Sequence, residues 1–423
     1  MRWSIGCGLG LGLALFVAAF ASQEEKTVAR GGPEGTQAGK APWAPAVKPK
    51  PLSDNVKKGL DWLVRRQHEN GGWSQGEESA QMGHSMDSLR DQPNVGDTCV
   101  AILALVRAGS TPKEGPYAEN IRKGLDFVCR SVEGADGPSL YVTSVRGTRL
   151  QQKLGTYIDT FLSSMVLAEV KGQMADEKGK KRVLEALETV VSKIQRNQKA
   201  DGTFGETGWA NSLSTAMASK GLNRAAQNGQ QVDDKTLDRA RTEGQQNFDR
   251  AAGRFDPKAS AGVDLYASAS SLTKMRESSN TYRATRDELQ RQLAAPQTTA
   301  EKKDEIRRTL DKYEKNEEFL KQAQDAVARK LDDQRFLAGF GSNGGEEFLS
   351  YMNIGESLVV DGGKAWEEWD KKMTDNLNRI QNADGSWTGH HCITGRTFCT
   401  SAALLCLMVD RAPVPVAARI GKR

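Results

Sequence analysis

Ten residues near the C-terminus, His390-His391-Cys392-Ile393-Thr394-Gly395-Arg396-Thr397-Phe398-Cys399, hold two of the chain's four histidines and two of its six cysteines. Imidazole and thiolate are the donors that zinc takes in tetrahedral sites, often with a carboxylate. Far upstream, Asp97-Thr98-Cys99 supplies a carboxylate and a thiol. Asp97, Cys99, His391, Cys392 and Cys399 are therefore the candidate ligands of a zinc ion. Asp97, His390 and His391 are candidate acid–base groups, and Arg396 beside them can hold an anionic ligand. Each has a plainer reading. Asp97 precedes an apolar helical run, as an N-cap does. Cys99 fits an apolar core face. Cys392 and Cys399 can pair as a disulfide. Glu346 and Glu347 follow Gly344-Gly345 and bring two carboxylates to one turn, where acidic side chains also suit a helix N-terminus. No G-x-S-x-G elbow, P-loop or Rossmann glycine motif is present.

The elements that must position these groups are repeated. GLDWLVRRQHENGGW (59–73), VSKIQRNQKADGTFG (191–205) and DNLNRIQNADGSWTG (375–389) share one grammar. Each is an amphipathic helix ending in Gln or Asn, then a glycine turn, then an aromatic plug. Gly72, Gly202 and Gly385 are the expected helix-stopping positions, with Trp73, Phe204 and Trp387 folding back. A second helix, smaller in its side chains, follows each: 95–109, 209–222 and 397–409. Weaker pairs fit the same template at 121–132 with 157–170, at 235–251 with 261–272, and at 320–331 with 346–360. Six hairpins, charged helix outside and small-residue helix inside, predict an all-α chain closed as an α/α toroid. From about 273 to 331 the sequence is dense in charge, broken at Ala294-Ala295-Pro296-Gln297. Leu289, Leu293, Ile306, Leu310, Tyr313 and Leu320 recur at helical spacing across that break. They predict a protruding, coiled-coil-like helical hairpin, either a solvated spacer or a docking arm for a protein partner.

Outside the toroid, Arg2, the apolar run Leu9–Phe20 and Ala19-Phe20-Ala21 read as a signal peptide over 1–21. Residues 22–51 read as a flexible linker, 52–411 as the toroid and 412–423 as a tail. The expectation is an exported chain, periplasmic or secreted, with no membrane span after cleavage. A net charge of +5 with both signs interspersed is no nucleic-acid footprint.

The helix-Gln-x-x-x-Gly-x-aromatic grammar resembles the repeat of squalene-hopene cyclases, and the hairpin count resembles protein prenyltransferase β subunits. The resemblance implies the toroid and an apolar ligand within it. It also implies the prenyltransferase metal set, an Asp-x-Cys pair with a His, which Asp97, Cys99 and His391 echo in a different chain order. The cyclase acid, Asp-x-Asp-Asp, is missing, and 8 Trp, 7 Tyr and 12 Phe in 423 residues are few for a carbocation cavity. The leading expectation is therefore a binding or scaffold protein of the cell envelope. The alternatives are a metal-dependent or acid–base enzyme at the toroid mouth, and an isoprenoid- or lipid-processing enzyme with a rearranged site.

Overall fold

The computed structural model describes residues 43–83, 86–205, 207–341 and 343–416. The signal peptide and most of the linker lie outside the described residues. Twelve helices build six hairpins, outer helix first. The outer helices are α1 (Asp54–Arg65), α3 (Ala118–Glu133), α6 (Glu177–Asn197), α8 (Asp234–Gln246), α10 (Ala300–Ala328) and α12 (Gly363–Ile380). The inner ones are α2 (Val95–Arg107), α5 (Ile158–Val170), α7 (Asn211–Gln227), α9 (Asp264–Ala294), α11 (Gly345–Val359) and α13 (Arg396–Leu407). A short helix, α4 (Arg149–Lys153), precedes α5. The inner helices pack in the cyclic order α2, α5, α7, α9, α11, α13 and back to α2, so the ring is closed. Strand pairing is minor, but Trp43–Pro45 pairs antiparallel with Pro413–Pro415 and ties the two ends of the toroid together.

The repeated grammar closes this ring through specific hydrogen bonds. Gln67 Nε2 donates to the Gly71 carbonyl (2.8 Å) and to the Asn120 carbonyl at the start of α3 (2.9 Å). Gln198 does the same with Gly202 (3.4 Å) and Thr236 in α8 (3.2 Å). Gln381 reaches Gly385 and Asn55 in α1, both at 2.8 Å, and so joins the last outer helix to the first. Trp73 and Trp387 are fully buried, and their indoles donate to the Leu63 and Leu377 carbonyls at 2.8 Å, satisfying orphan acceptors at the helix ends. The left-handed residue of the first turn is Gly71 (φ 88°) rather than the expected Gly72. It is equivalent to Gly202 (86°) and Gly385 (95°). The doubled glycine hid the register. The second one is needed for a different reason, since a Cβ there would meet Phe127 and Pro93 at 2.9 Å.

At the C-terminal end of the inner ring, charged side chains cross the axis. Arg107 of α2 bonds Glu356 of α11 at 2.9 Å. Lys220 and Arg224 of α7 reach the same carboxylate at 2.7 and 2.9 Å. Arg224 also pairs with Glu169 of α5 and with Glu277 of α9 (3.3 Å). Three cations thus balance three carboxylates in a buried cluster that joins helices not adjacent in the ring. Burial opposes ionisation of Glu356, but Lys220, Arg224 and Arg107 outweigh it and hold the carboxyl well below the usual range.

The helices α9 and α10 run 31 and 29 residues, about 45 Å each at 1.5 Å per residue. Their far halves form an antiparallel pair with its own small core of Tyr282, Leu289 and Ile306, flanked by Leu293, Leu310 and Tyr313. Tyr282 and Tyr313 stack with centroids 4.1 Å apart. No helix among the described residues is long and apolar enough to cross a membrane.

Candidate active site

The other end of the ring, where the inner helices begin, gathers carboxylates. Gly344-Gly345 opens α11 without side chains because segment 390–393 lies against it. A Cβ on Gly344 would meet the His391 carbonyl at 2.7 Å, and one on Gly345 would meet Ile393 at 2.6 Å. Gly345 N donates to the Ile393 carbonyl (2.9 Å) and His390 N to the Asn343 carbonyl (2.9 Å). Glu346 and Glu347 follow in the first turn, both fully buried.

The two differ in their partners. Glu347 Oε1 accepts from the Tyr266 hydroxyl (2.5 Å) and Phe340 N (3.0 Å), and Oε2 from Gly344 N (2.7 Å). The His391 Nε2 lies 3.5 Å from the same Oε2. Burial raises the Glu347 carboxyl, while these donors oppose the rise. Three donors on two oxygens are the setting of an ionised carboxylate. Glu346 Oε2 accepts only from Ile393 N (3.2 Å), and Oε1 has no hydrogen-bond partner. Burial, helped by the neighbouring Glu347, pushes the Glu346 carboxyl up to about 8. Burial thus favours the protonated form of Glu346, while three donors favour the ionised form of Glu347, an arrangement able to donate a proton on one side and accept one on the other.

Across α13 lies a second pair. The cap of α2 is Asn94, not Asp97: Asn94 Oδ1 accepts from Asp97 N (2.9 Å) and its Nδ2 donates to Asp97 Oδ2 (2.8 Å). Burial raises Asp97 to about 7, against the Asn94 hydrogen bond, and Asp159 adds to the rise. Asp159, itself raised by burial, accepts from Gly96 N (2.9 Å) and Gln151 Nε2 (2.8 Å). The Cys399 thiol sits between the pairs. Burial and then the Glu346, Asp97 and Glu347 carboxylates push it well above its ordinary value. Above the carboxylates, α4 and segment 74–79 close the mouth through a two-bond pair of Arg149 with Glu78, both contacts 2.7 Å.

The residues singled out from sequence come only partly together. Asp97, His391 and Cys399 reach this mouth. Cys99 instead faces α5, with its thiol 3.6 Å from the Ser163 hydroxyl. Cys399 lies 3.4 Å from the Ile393 carbonyl, and all five described cysteines are free, so no Cys392–Cys399 disulfide forms. Cys392 is half-buried at φ 56°. Burial and Glu346 push its thiol up to about 11. His390 is exposed. Arg396 points outward to Asp384, to Ser386 and to Glu77 (3.1 Å), and its guanidinium covers the Trp62 ring at 5.4 Å. Among the described residues, no group of three or more His, Cys, Asp or Glu side chains is placed to hold a metal ion. Tyr266, Asp159 and the Arg149–Glu78 lid carry no sequence signature and are visible only once the ring is closed.

A closed α/α toroid with a buried carboxylate pair at the start of its inner helices defines the class. No known protein family matches the sequence, and no curated protein matches it. Among solved structures, the chain is similar to GH76A, an α-1,6-mannanase of Salegentibacter sp. captured as an inactive variant with an α-1,6-mannotetraose. That match has 9% identity and a TM-score of 0.52, over 85% of this chain and 99% of that one. It is also similar to an α-amylase from Clostridium perfringens, with 10% identity and a TM-score of 0.49 over 85% and 99% of the two chains. The shared toroid is what the first of these matches establishes.

They correct the expected kinship with squalene-hopene cyclases and protein prenyltransferases. The Gln-Gly-aromatic repeat that suggested it is a device for ending one outer helix and tying it to the next, which a closed toroid can use whatever its chemistry. The cell-envelope scaffold reading is corrected with it, since the toroid matched at a TM-score of 0.52 is named as an α-1,6-mannanase. Its metal-dependent and lipid-processing alternatives gain no support from these matches either.

Proposed function

We propose that this chain is a glycan-hydrolysing enzyme whose working groups are Glu346 and Glu347. The observation that carries the reading is the asymmetry of that pair: one carboxyl with an unpartnered oxygen and raised by burial, its neighbour accepting from three donors. Hydrolysis of a glycosidic bond needs both states at once. Glu346 gives its proton to the leaving sugar oxygen as the C–O bond breaks. Glu347 takes a proton from the water that attacks the anomeric carbon. The mannanase with the similar fold is described as inactive when two consecutive aspartates are replaced. Here two consecutive glutamates open an inner helix. The pair is buried, so a saccharide reaches it only when the Arg149–Glu78 pair that closes the mouth opens. An exported chain, as the first 21 residues suggest, meets polysaccharide outside the cytoplasm, which suits this reading.

The test is reducing-end release from α-1,6-mannotetraose, maltotetraose, cellotetraose and chitotetraose. The wild type cleaves at least one of them. Glu346→Gln and Glu347→Gln, each checked for fold by circular dichroism, lower the rate by about a thousandfold. Cleavage of none, or full activity in Glu346→Gln, rejects the assignment.

A further inference from the structure

Among the described residues only two large apolar side chains are exposed, Val416 near the C-terminal end and Phe340, which is 56% exposed. Phe340 is not a stray surface residue. Its backbone N–H donates to Glu347 Oε1 at 3.0 Å, which pins the ring beside the carboxylate pair. Its ring is buttressed edge-to-face by Trp209 at 4.8 Å and by His391 at 5.3 Å. Trp209 continues inward to Tyr266 at 5.9 Å, and Tyr266 donates to Glu347. His391 continues outward to the exposed His390 at 6.4 Å. Five rings thus run from solvent to the buried pair.

An aromatic ring left open to water loses the free energy its burial would give, roughly 25 cal/mol per Å². A single exposed ring is ordinary in itself; what points to a ligand is its place beside the buried carboxylate pair, on a scaffold of further aromatic rings. The ligand that fits presents a flat apolar face ringed by hydroxyls, because the His391 imidazole stands beside the phenyl ring, with the exposed His390 beyond it. A pyranose has that shape, with axial C–H groups on its face and hydroxyls at its rim. We infer that Phe340, supported by Trp209 and His391, is a sugar-stacking subsite that seats one pyranose of a glycan chain next to Glu347. This inference rests on the glycan reading above and assigns it a positioning surface. Phe340 acts on binding, not on the proton transfers.

The experiment measures calorimetric binding of the same four tetrasaccharides to Glu346→Gln, which turns them over about a thousandfold more slowly, and to the double variants that add Phe340→Ala or Phe340→Tyr. At least one tetrasaccharide binds Glu346→Gln. Phe340→Ala weakens that binding roughly tenfold, the worth of one good aromatic contact, and Phe340→Tyr restores it. Equal affinity with and without the ring overturns the subsite, even if the wild type hydrolyses glycans. No binding of any tetrasaccharide at millimolar concentration overturns it too. The hydrolysis assay stands separately and judges the catalytic pair alone.

Discussion

Replacing Glu346 by Gln gives the sharpest thermodynamic prediction. The side chain is fully buried, with one oxygen on Ile393 N and the other without a partner. Glutamine keeps its shape and cannot ionise. The wild-type carboxyl is raised from 4.5 to about 8 in the folded chain. Between those values the folded state holds a proton that the unfolded state has released, so stability falls as pH rises through the window and the loss is complete above 8. At about 1.4 kcal/mol per tenfold change, the loss is at most roughly 5 kcal/mol. Urea unfolding at pH 5, 7 and 9 reads it directly. The two proteins are near equal at pH 5, and the variant is more stable by several kcal/mol at pH 9. Parallel pH dependence of the two would refute the claim that this carboxyl is neutral in the folded chain.

Other predictions follow from the same contacts. Asp97→Asn shows the same sign between pH 3.8 and about 7, worth at most roughly 4 kcal/mol. Glu356→Ala leaves Arg107, Lys220 and Arg224 without their shared carboxylate and costs about 3–5 kcal/mol in urea unfolding at pH 7. Because Glu356 is held below its ordinary value, its contribution is present above pH 4.5 and shrinks as pH falls. Equal stability of the Glu356→Ala variant and wild type at pH 7 would contradict a paired cluster. Gly385→Val places a branched side chain at φ 95° with its Cβ 2.6 Å from the Lys58 carbonyl, and costs about 3 kcal/mol or more in the same measurement. Replacing 285–309 by a short turn leaves the melting temperature within a few degrees, since that part of the arm packs on its own small core. A collapse of the whole transition would show that the toroid depends on the arm.

The toroid was legible in the sequence because its repeat is made by chemistry that spacing reveals. The Gln, the turn glycine and the buried aromatic each serve a helix end, and they recur at fixed offsets in three hairpins. The arm was legible from its apolar spacing on either side of Ala294-Ala295-Pro296-Gln297, for local periodicity needs no knowledge of the ring. The site was not legible in the same way. Dense His and Cys drew attention to 390–399, yet Cys99 faces a neighbouring helix, Arg396 ties down an outer turn and His390 is exposed. Glu346 and Glu347 looked like ordinary first-turn acids. What makes them unusual is burial under segment 390–393 and the donors Tyr266, which comes from another hairpin, and Phe340, which comes from the turn before α11. The expected family misled for a related reason: the repeat reports how the helices are joined and says nothing of what fills the mouth.

The central claim is that the Glu346–Glu347 pair adds water across a glycosidic bond. The most direct measurement is mass spectrometry of the four tetrasaccharides after incubation with the protein in ¹⁸O-labelled water. One ¹⁸O is expected in the new reducing sugar per bond broken, with release about a thousandfold slower by Glu346→Gln. Intact, unlabelled tetrasaccharides after incubation with folded wild-type protein at pH 5 to 7 would contradict it.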